Sequence, residues 1–370
     1  VGQGILGAAG GRVVVVDVTA AFASARDRIY LDAATYGLPP TATVRAMRRA
    51  LLAWQRGTGR WIEDWDVIAE ECRASFASLI GASAGEIALE PAVSVAVAAI
   101  AASLRSGDEV VVPEDEFTSV LYPLLVAERR GVGVRQVPLP ALPDAIRSGT
   151  TLVATSLVQM QTGLAAPLAG IVAAARAHGT RILIDATQAV PMMPSLRRHI
   201  GDIDYLVCSG YKHLLCPRGT AFLYVRGSSW DTFEPIAAGW RAGDLPYGRY
   251  FGGPLQLAPD AARFNVSLAW FSWVGARESL RLLTEWDAAG AFEGVRAQSA
   301  RLAAGLGDVD AGTTLVCVPV RDGAGLARAL MSGRIRAAMR GGSLRLSPHV
   351  YNTDGDIEQA IEVVRPYLGT

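Results

Sequence analysis

Arg181-Ile-Leu-Ile-Asp185-Ala-Thr-Gln188 and, one short helix and one strand later, Ser209-Gly-Tyr-Lys212 are the stretches that decide how this chain reads. Asp185 closes a strongly apolar run, and open α/β sheets place their ligand-binding groups at such strand ends. A lone carboxylate there would be costly, so it calls for a cationic or hydrogen-bonding partner. Lys212 follows the next strand end, and adjacent strand ends bring both side chains to one rim. Lys212 is also the only lysine of the 370 residues, and every other member of the 35 basic residues is arginine. Arginine replaces lysine wherever a solvated charge is enough. A lysine that survives that bias marks a place where guanidinium cannot serve, because an amine can lose its proton and attack a carbonyl.

Outward from this pair, short β-branched runs alternate with longer helical patterns. Strands are expected at Glu86–Leu89, Glu109–Pro113, Val134–Pro138, Thr151–Ser156, Arg181–Asp185, Tyr205–Ser209 and Thr220–Arg226. Helices are expected at Ser94–Leu104, Thr118–Arg130 and Leu168–His178, with a short element near Ser195–Ile200. The repeated strand–helix–strand order predicts an α/β protein with a mostly parallel, seven-stranded sheet covered on both faces. Gly239 to Pro259, rich in glycine, proline and aromatics, reads as a long functional loop or a crossing between domains. Helices over Phe264–Leu283 and Ala289–Gly305, strands over Thr314–Val320 and Ser343–Ser347, and a last helix over Thr353–Tyr367 make a smaller α+β unit. Thr353 and Asp356 suit a capping box for that helix. The expected division is an N-terminal extension (1–28), a large domain (29–252) whose first residues join the small one, and a small C-terminal domain (253–370).

Hydrophobic residues make up 51% and charged residues 19%, which permits a large core and argues against disorder. Net charge is zero, with 35 basic and 35 acidic residues, so nucleic acid and anionic membranes are not the expected partners. Four scattered cysteines suit neither a disulfide framework nor a C-x-x-C pair, and no H-E-x-x-H occurs, so no metal is expected. The opening stretch has no basic n-region and no long apolar run, which makes the cytoplasm the expected compartment. A literal G-x-G-x-x-G at Gly2, Gly4 and Gly7 has no strand before it and is rejected as a dinucleotide fingerprint.

A carboxylate and an isolated lysine on one rim suit pyridoxal 5′-phosphate: the amine links to the aldehyde, and the acid keeps the pyridine nitrogen protonated. Four ordered motifs carry a family resemblance: Leu31-Asp-Ala-Ala-Thr-Tyr-Gly37; Leu183-Ile-Asp-Ala-Thr-Gln188; Ser209-Gly-Tyr-Lys-His213 with Pro217-Arg-Gly-Thr220; and Arg345-Leu-Ser-Pro-His-Val-Tyr-Asn352. From about Tyr30 onward the chain resembles the class V aminotransferases, fold-type I pyridoxal-phosphate enzymes that include cysteine desulfurases, isopenicillin N epimerase-like proteins and C–S lyases. The resemblance implies that Lys212 is the Schiff-base lysine, Asp185 the pyridinium partner, and Gln188 the partner of the ring 3′-oxygen. It implies that Ser209, Ser94 and the backbone of Val95 hold the phosphate, the last two at a helix start where free N–H groups favour anions. Phe117 takes the place of the residue that stacks on the ring, Tyr211 stands before the lysine, and Arg345 matches the arginine that grips the substrate carboxylate. A homodimer is implied too, with Arg263 to Ser267 reaching the partner's phosphate. Tyr36, His213, Trp240 and Arg241 are candidates whose bland reading, packing or crossing, is the stronger.

Departures from the family bear on the reaction. Desulfurases need a nucleophilic cysteine on a loop shortly before the carboxylate-binding arginine, yet Met331 to Ser343 contains none, and Cys317 lies in an apolar strand. The histidine common above the ring is Phe117, and the one often preceding the lysine is Tyr211. Both changes favour the epimerase-like and C–S lyase branch. The expected activity is β-elimination from a cysteine S-conjugate in small-molecule biosynthesis, with transamination or epimerisation as the alternative and non-catalytic cofactor binding as a third reading.

Overall fold

The computed structural model describes residues 5–9, 12–16, 18–22, 27–307 and 312–369; Gly2 and Gly4 of the rejected glycine motif lie outside them. Seven strands form the main sheet: β1 (Ile87–Glu90), β2 (Glu109–Pro113), β3 (Gly133–Val137), β4 (Thr150–Ser156), β5 (Arg181–Asp185), β6 (Tyr205–Ser209) and β7 (Ala221–Val225). Their spatial order is β1-β7-β6-β5-β4-β2-β3. Strands β2 to β6 pair in parallel, and β7 runs antiparallel to both β6 and β1. Each of the seven strands expected for this sheet is present, within one residue at either end.

The near-continuous apolar runs follow from burial on both faces. Val111, Ile182, Ile184, Leu206 and Cys208 enter one core, with Phe76 and Ile171 from the helices Ala69–Ile80 and Leu168–His178. Their neighbours Val110, Val112, Leu183, Tyr205 and Val207 enter the other, beneath the helices Val93–Ala102 and Thr118–Glu128. The period-two alternation of a strand therefore carries no polar face here.

Beyond the sheet, the helix Trp270–Ala288 begins six residues later than the pattern predicts. Asn265 explains the delay. It is extended, and its side-chain oxygen accepts a hydrogen bond from the Leu89 N–H at 2.9 Å, so this part of the chain serves the edge strand rather than a helix. A three-stranded antiparallel sheet holds Val316–Pro319, Ser343–Leu346 and Ala338–Arg340. Gly341 and Gly342 alone join the last two, both with positive φ (53° and 84°), as a tight two-residue hairpin turn requires. Ile29–Tyr30 pair in parallel with Ile335–Arg336 as a separate two-stranded sheet, and an isolated bridge from Asp32 to Ser347 ties the Leu31–Gly37 motif to the end of the strand Ser343–Leu346. Thr353 and Asp356 form the expected capping box on the helix Asp354–Val364. Among the described residues, no helix is long and apolar enough to cross a membrane.

Candidate active site

Parallel pairing of β4, β5 and β6 aligns Asp185 with Ser156 on one side and Val207 on the other, at the carboxyl rim of the sheet. Just past β6, the chain turns tightly, with Cys216 N–H donating to Gly210 O at 2.9 Å, and this turn presents Lys212 to the same rim. Lys212 and Asp185 line one cavity with Phe117, Gln188, Ser209 and Tyr211. Six of the residues expected from sequence are thus brought together.

The lysine is 5% exposed, and among the described residues no carboxylate lies within ion-pair distance. Its ammonium touches the Met160 sulfur at 3.8 Å and lies 5.3 Å from the centre of the Phe117 ring. Burial lowers its pKa to about 8; Asp185 pulls the other way, and the Arg345 and Arg340 charges add to the lowering. Asp185 is also buried, and burial raises its pKa against the opposing hydrogen bonds from Thr187 and the charge of Lys212. The Thr187 N–H donates to its Oδ1 at 2.8 Å, and the Thr187 hydroxyl accepts from the Ser209 N–H at 2.9 Å, locking the two strand ends together.

Gln188 is held at both ends of its amide. Its Nε2 donates to Ala34 O at 3.0 Å, and its Oε1 lies 3.0 Å from His213 Nε2. One N–H of the amide remains for a ligand in the cavity. His213 is fully buried, and burial holds its pKa well below the ordinary value, so it is a neutral packing residue that orients Gln188.

The helix start behaves differently from the expectation. Val93, not Ser94 or Val95, lines the Lys212 cavity, while Ser94 lines the two neighbouring hollows and Val95 one of them. The cause is that the helix begins at Val93, with Ala92 as an N-cap that offers no side-chain cap, so its first turn faces the cavity one residue earlier. Arg345 is 1% exposed and sits behind the cavity wall, with Nη1 donating to Met160 O at 3.2 Å and Nη2 to the Thr35 hydroxyl at 2.6 Å. Asp32 lies 3.6 Å from it as counter-charge. Trp240 and Arg241 are not at this cavity. Arg241 is buried against Asp66 and Glu70, and Trp240 packs edge-on to Trp61.

Sequence reasoning missed Ser119, Thr187, Met160, Glu116 and Arg218. Thr187 stood inside a quoted motif, between Asp185 and Gln188; Ser119 and Met160 carried no signal, since a serine in a first helical turn and a methionine in a loop are common. Glu116 accepts the N–H groups of Ser156 and Phe117, each at 2.7 Å, and burial raises its pKa to about 7. It shapes the wall that holds Phe117.

These features fit pyridoxal phosphate: a buried amine without an ionic partner, an acid at the adjacent strand end, an aromatic face above the amine, and an uncapped helix start beside hydroxyl groups. The fold and the site define a fold-type I pyridoxal-phosphate protein. The chain belongs to the class V aminotransferase family, whose model matches residues 29–326, and pyridoxal phosphate is its cofactor. A probable cysteine desulfurase of Methanothermobacter thermautotrophicus is 33% identical over 228 residues, 58% of this chain and 57% of that relative. The match thus spans less than two thirds of the relative's length. An isopenicillin N epimerase of Streptomyces clavuligerus is 32% identical over 184 residues, 46% of each chain. Among solved structures, the cystine C–S lyase C-DES with its product cysteine persulfide superposes with a TM-score of 0.83, covering 94% of this chain and all of that one. At 20% identity, that likeness is one of fold.

Proposed function

We propose that this protein is a β-lyase that cleaves the C–S bond of a cysteine S-conjugate, releasing a thiol and, with one water consumed, pyruvate and ammonia. The observation that carries this reading is the Lys212 amine, buried, without an ionic partner and with a pKa of about 8. Such an amine is partly unprotonated near neutral pH and can take a proton from a substrate Cα. Bound pyridoxal phosphate supplies an aldehyde that links to amines and a ring that accepts the electron pair left at Cα.

The residues divide the remaining work. Lys212 Nζ removes the Cα proton, and its burial keeps part of the amine unprotonated near neutral pH. Asp185 would hold the ring nitrogen, the free N–H of Gln188 the ring oxygen, and Ser209 with the first turn of the helix Val93–Ala102 the phosphate. Phe117 would cover the ring, and Arg345 would orient the substrate carboxylate from behind the wall, where it holds Met160 and Thr35. Elimination is favoured over persulfide transfer by the small sheet. The glycine pair between Ala338–Arg340 and Ser343–Leu346 leaves no room for a cysteine-bearing loop ahead of Arg345. Cys208 and Cys216 are buried, and burial raises both thiols well above the ordinary range, which makes them inert.

A panel of cysteine S-conjugates tests the proposal. Stoichiometric pyruvate and thiol are expected from at least one member. Keto acid formed only when an amine donor is added, or alanine formed with a protein-bound persulfide, would overturn it.

A further inference from the structure

Besides Lys212, Arg218 is a cation lining the reaction cavity that has no ion pair among the described residues, and unlike Lys212 it is exposed. It sits on the short loop between β6 and β7, held by the Thr220 hydroxyl donating to Pro217 O at 2.8 Å. Its guanidinium lies 4.7 Å from the centre of the Tyr211 ring, and it forms no ion pair among the described residues. Arg345, by contrast, has Asp32 beside it.

Arg218 and Tyr211 line two cavities at once. One is the Lys212 cavity; the other, about 400 Å³, adjoins it and is walled by Tyr36, Pro39, Val44, Met47 and Pro217. Those walls are apolar, and no acidic side chain lines the space. A substrate whose Cα proton Lys212 removes has its Cα in the first cavity, so any side chain longer than that of cysteine has the second available to it. Contact with Tyr211 occupies one face of the guanidinium and leaves its edge N–H groups free, the arrangement that grips a carboxylate bidentately.

We infer that Arg218 is a specificity-determining residue that selects substrates whose side chain crosses an apolar stretch and ends in an anion. The inference deepens the proposed function and rests on its reading of the Lys212 cavity as the place of reaction. The substrate class is then a cysteine S-conjugate with a carboxylate at the far end of the sulfur substituent, a second anion besides the α-carboxylate.

Two probes decide this: a cysteine whose sulfur carries a carboxypropyl chain, and the same compound with the terminal acid replaced by its carboxamide. Each is titrated into the cofactor-loaded protein. The dissociation constant is read from the visible spectrum, Cα–H exchange from solvent deuterium, and pyruvate separately. The acid is expected to bind about 10- to 100-fold tighter than the amide, the scale of a charged hydrogen-bonded pair. Arg218→Met should collapse that ratio toward one, and Arg218→Lys should keep part of it. Equal binding of both probes by the wild type, an equal loss for both in Arg218→Met, or no spectral change with either probe would overturn the inference. A retained preference for the acid with no pyruvate leaves the inference standing and removes the lyase reading. Pyruvate from both at equal kcat/KM does the reverse.

Discussion

Arg241 and Lys212 are both cations taken out of water, 3% and 5% exposed, yet the fold treats them in opposite ways. Arg241 pairs with Asp66, donates to Glu70 at 2.8 Å, and lies 3.2 Å from the Tyr247 hydroxyl. Asp66 in turn accepts from Tyr247 at 2.8 Å and from the Trp270 indole at 2.9 Å. These groups come from four separate segments, so the cluster ties the long loop after Gly239 to the first helices and to the helix Trp270–Ala288. Lys212 has a thioether and an aromatic face instead. Where a buried charge is structural, nearly every donor finds an acceptor; where it must react, the partner is withheld.

Breaking the reactive side of this contrast should have the largest effect. Lys212→Arg keeps a positive charge but removes the nucleophilic amine, and turnover should fall by more than about 1000-fold. Borohydride reduction, which should mark the Lys212 peptide of the wild type with one pyridoxyl group, should mark nothing in the variant. Persistent turnover would show that the amine is not the reacting group.

The structural side predicts the opposite phenotype. Asp66→Asn leaves buried Arg241 with the part-exposed Glu70 as its one remaining charge partner among the described residues and should cost about 1–3 kcal/mol of stability, read from the urea midpoint. The visible band per folded molecule should be retained. Loss of that band without loss of stability would put the cluster in the active site after all.

The smallest effect sharpens the comparison. The folded chain lowers the Lys212 pKa from 10.5 to about 8, so below pH 8 it holds a charged amine where a neutral one is preferred. The unfolded chain binds more protons between those values, and stability therefore rises with pH across that window. In the cofactor-free protein, Lys212→Met should be more stable than the wild type by about 1–3 kcal/mol at pH 7. The gap should close as pH climbs past 8 toward 10.5. A variant less stable at pH 7 would mean that the amine is compensated by a contact of its own.

Most of the sheet was legible because its evidence is local. Runs such as Val110-Val111-Val112 or Ile182-Leu183-Ile184 are apolar at every position, and only a strand covered on both faces needs that. The Thr353 capping box is likewise a matter of a few consecutive residues. The late start of the helix at Trp270 was hidden, since what holds Asn265 extended is the backbone of Leu89, 176 residues away along the chain. The shift from Ser94 to Val93 was hidden for a related reason: a helix's first residue is set by how the preceding loop leaves β1, and no side-chain cap announces it. Arg241, ambiguous as a loop residue, became structural only when Asp66 and Trp270 closed around it.

Composition and local pattern by themselves determined that one amine was singled out, that an acid ended the neighbouring strand, and that a parallel sheet carried both. Only the tertiary structure decided which charges are neutralised and which are left waiting: buried Arg345 with Asp32, buried Arg241 with Asp66, and neither buried Lys212 nor exposed Arg218 with an ion-pair partner among the described residues. The reason is physical. Propensity and periodicity act between residues a few positions apart, whereas the electrostatic state of a side chain depends on everything packed against it, most of it distant in the chain.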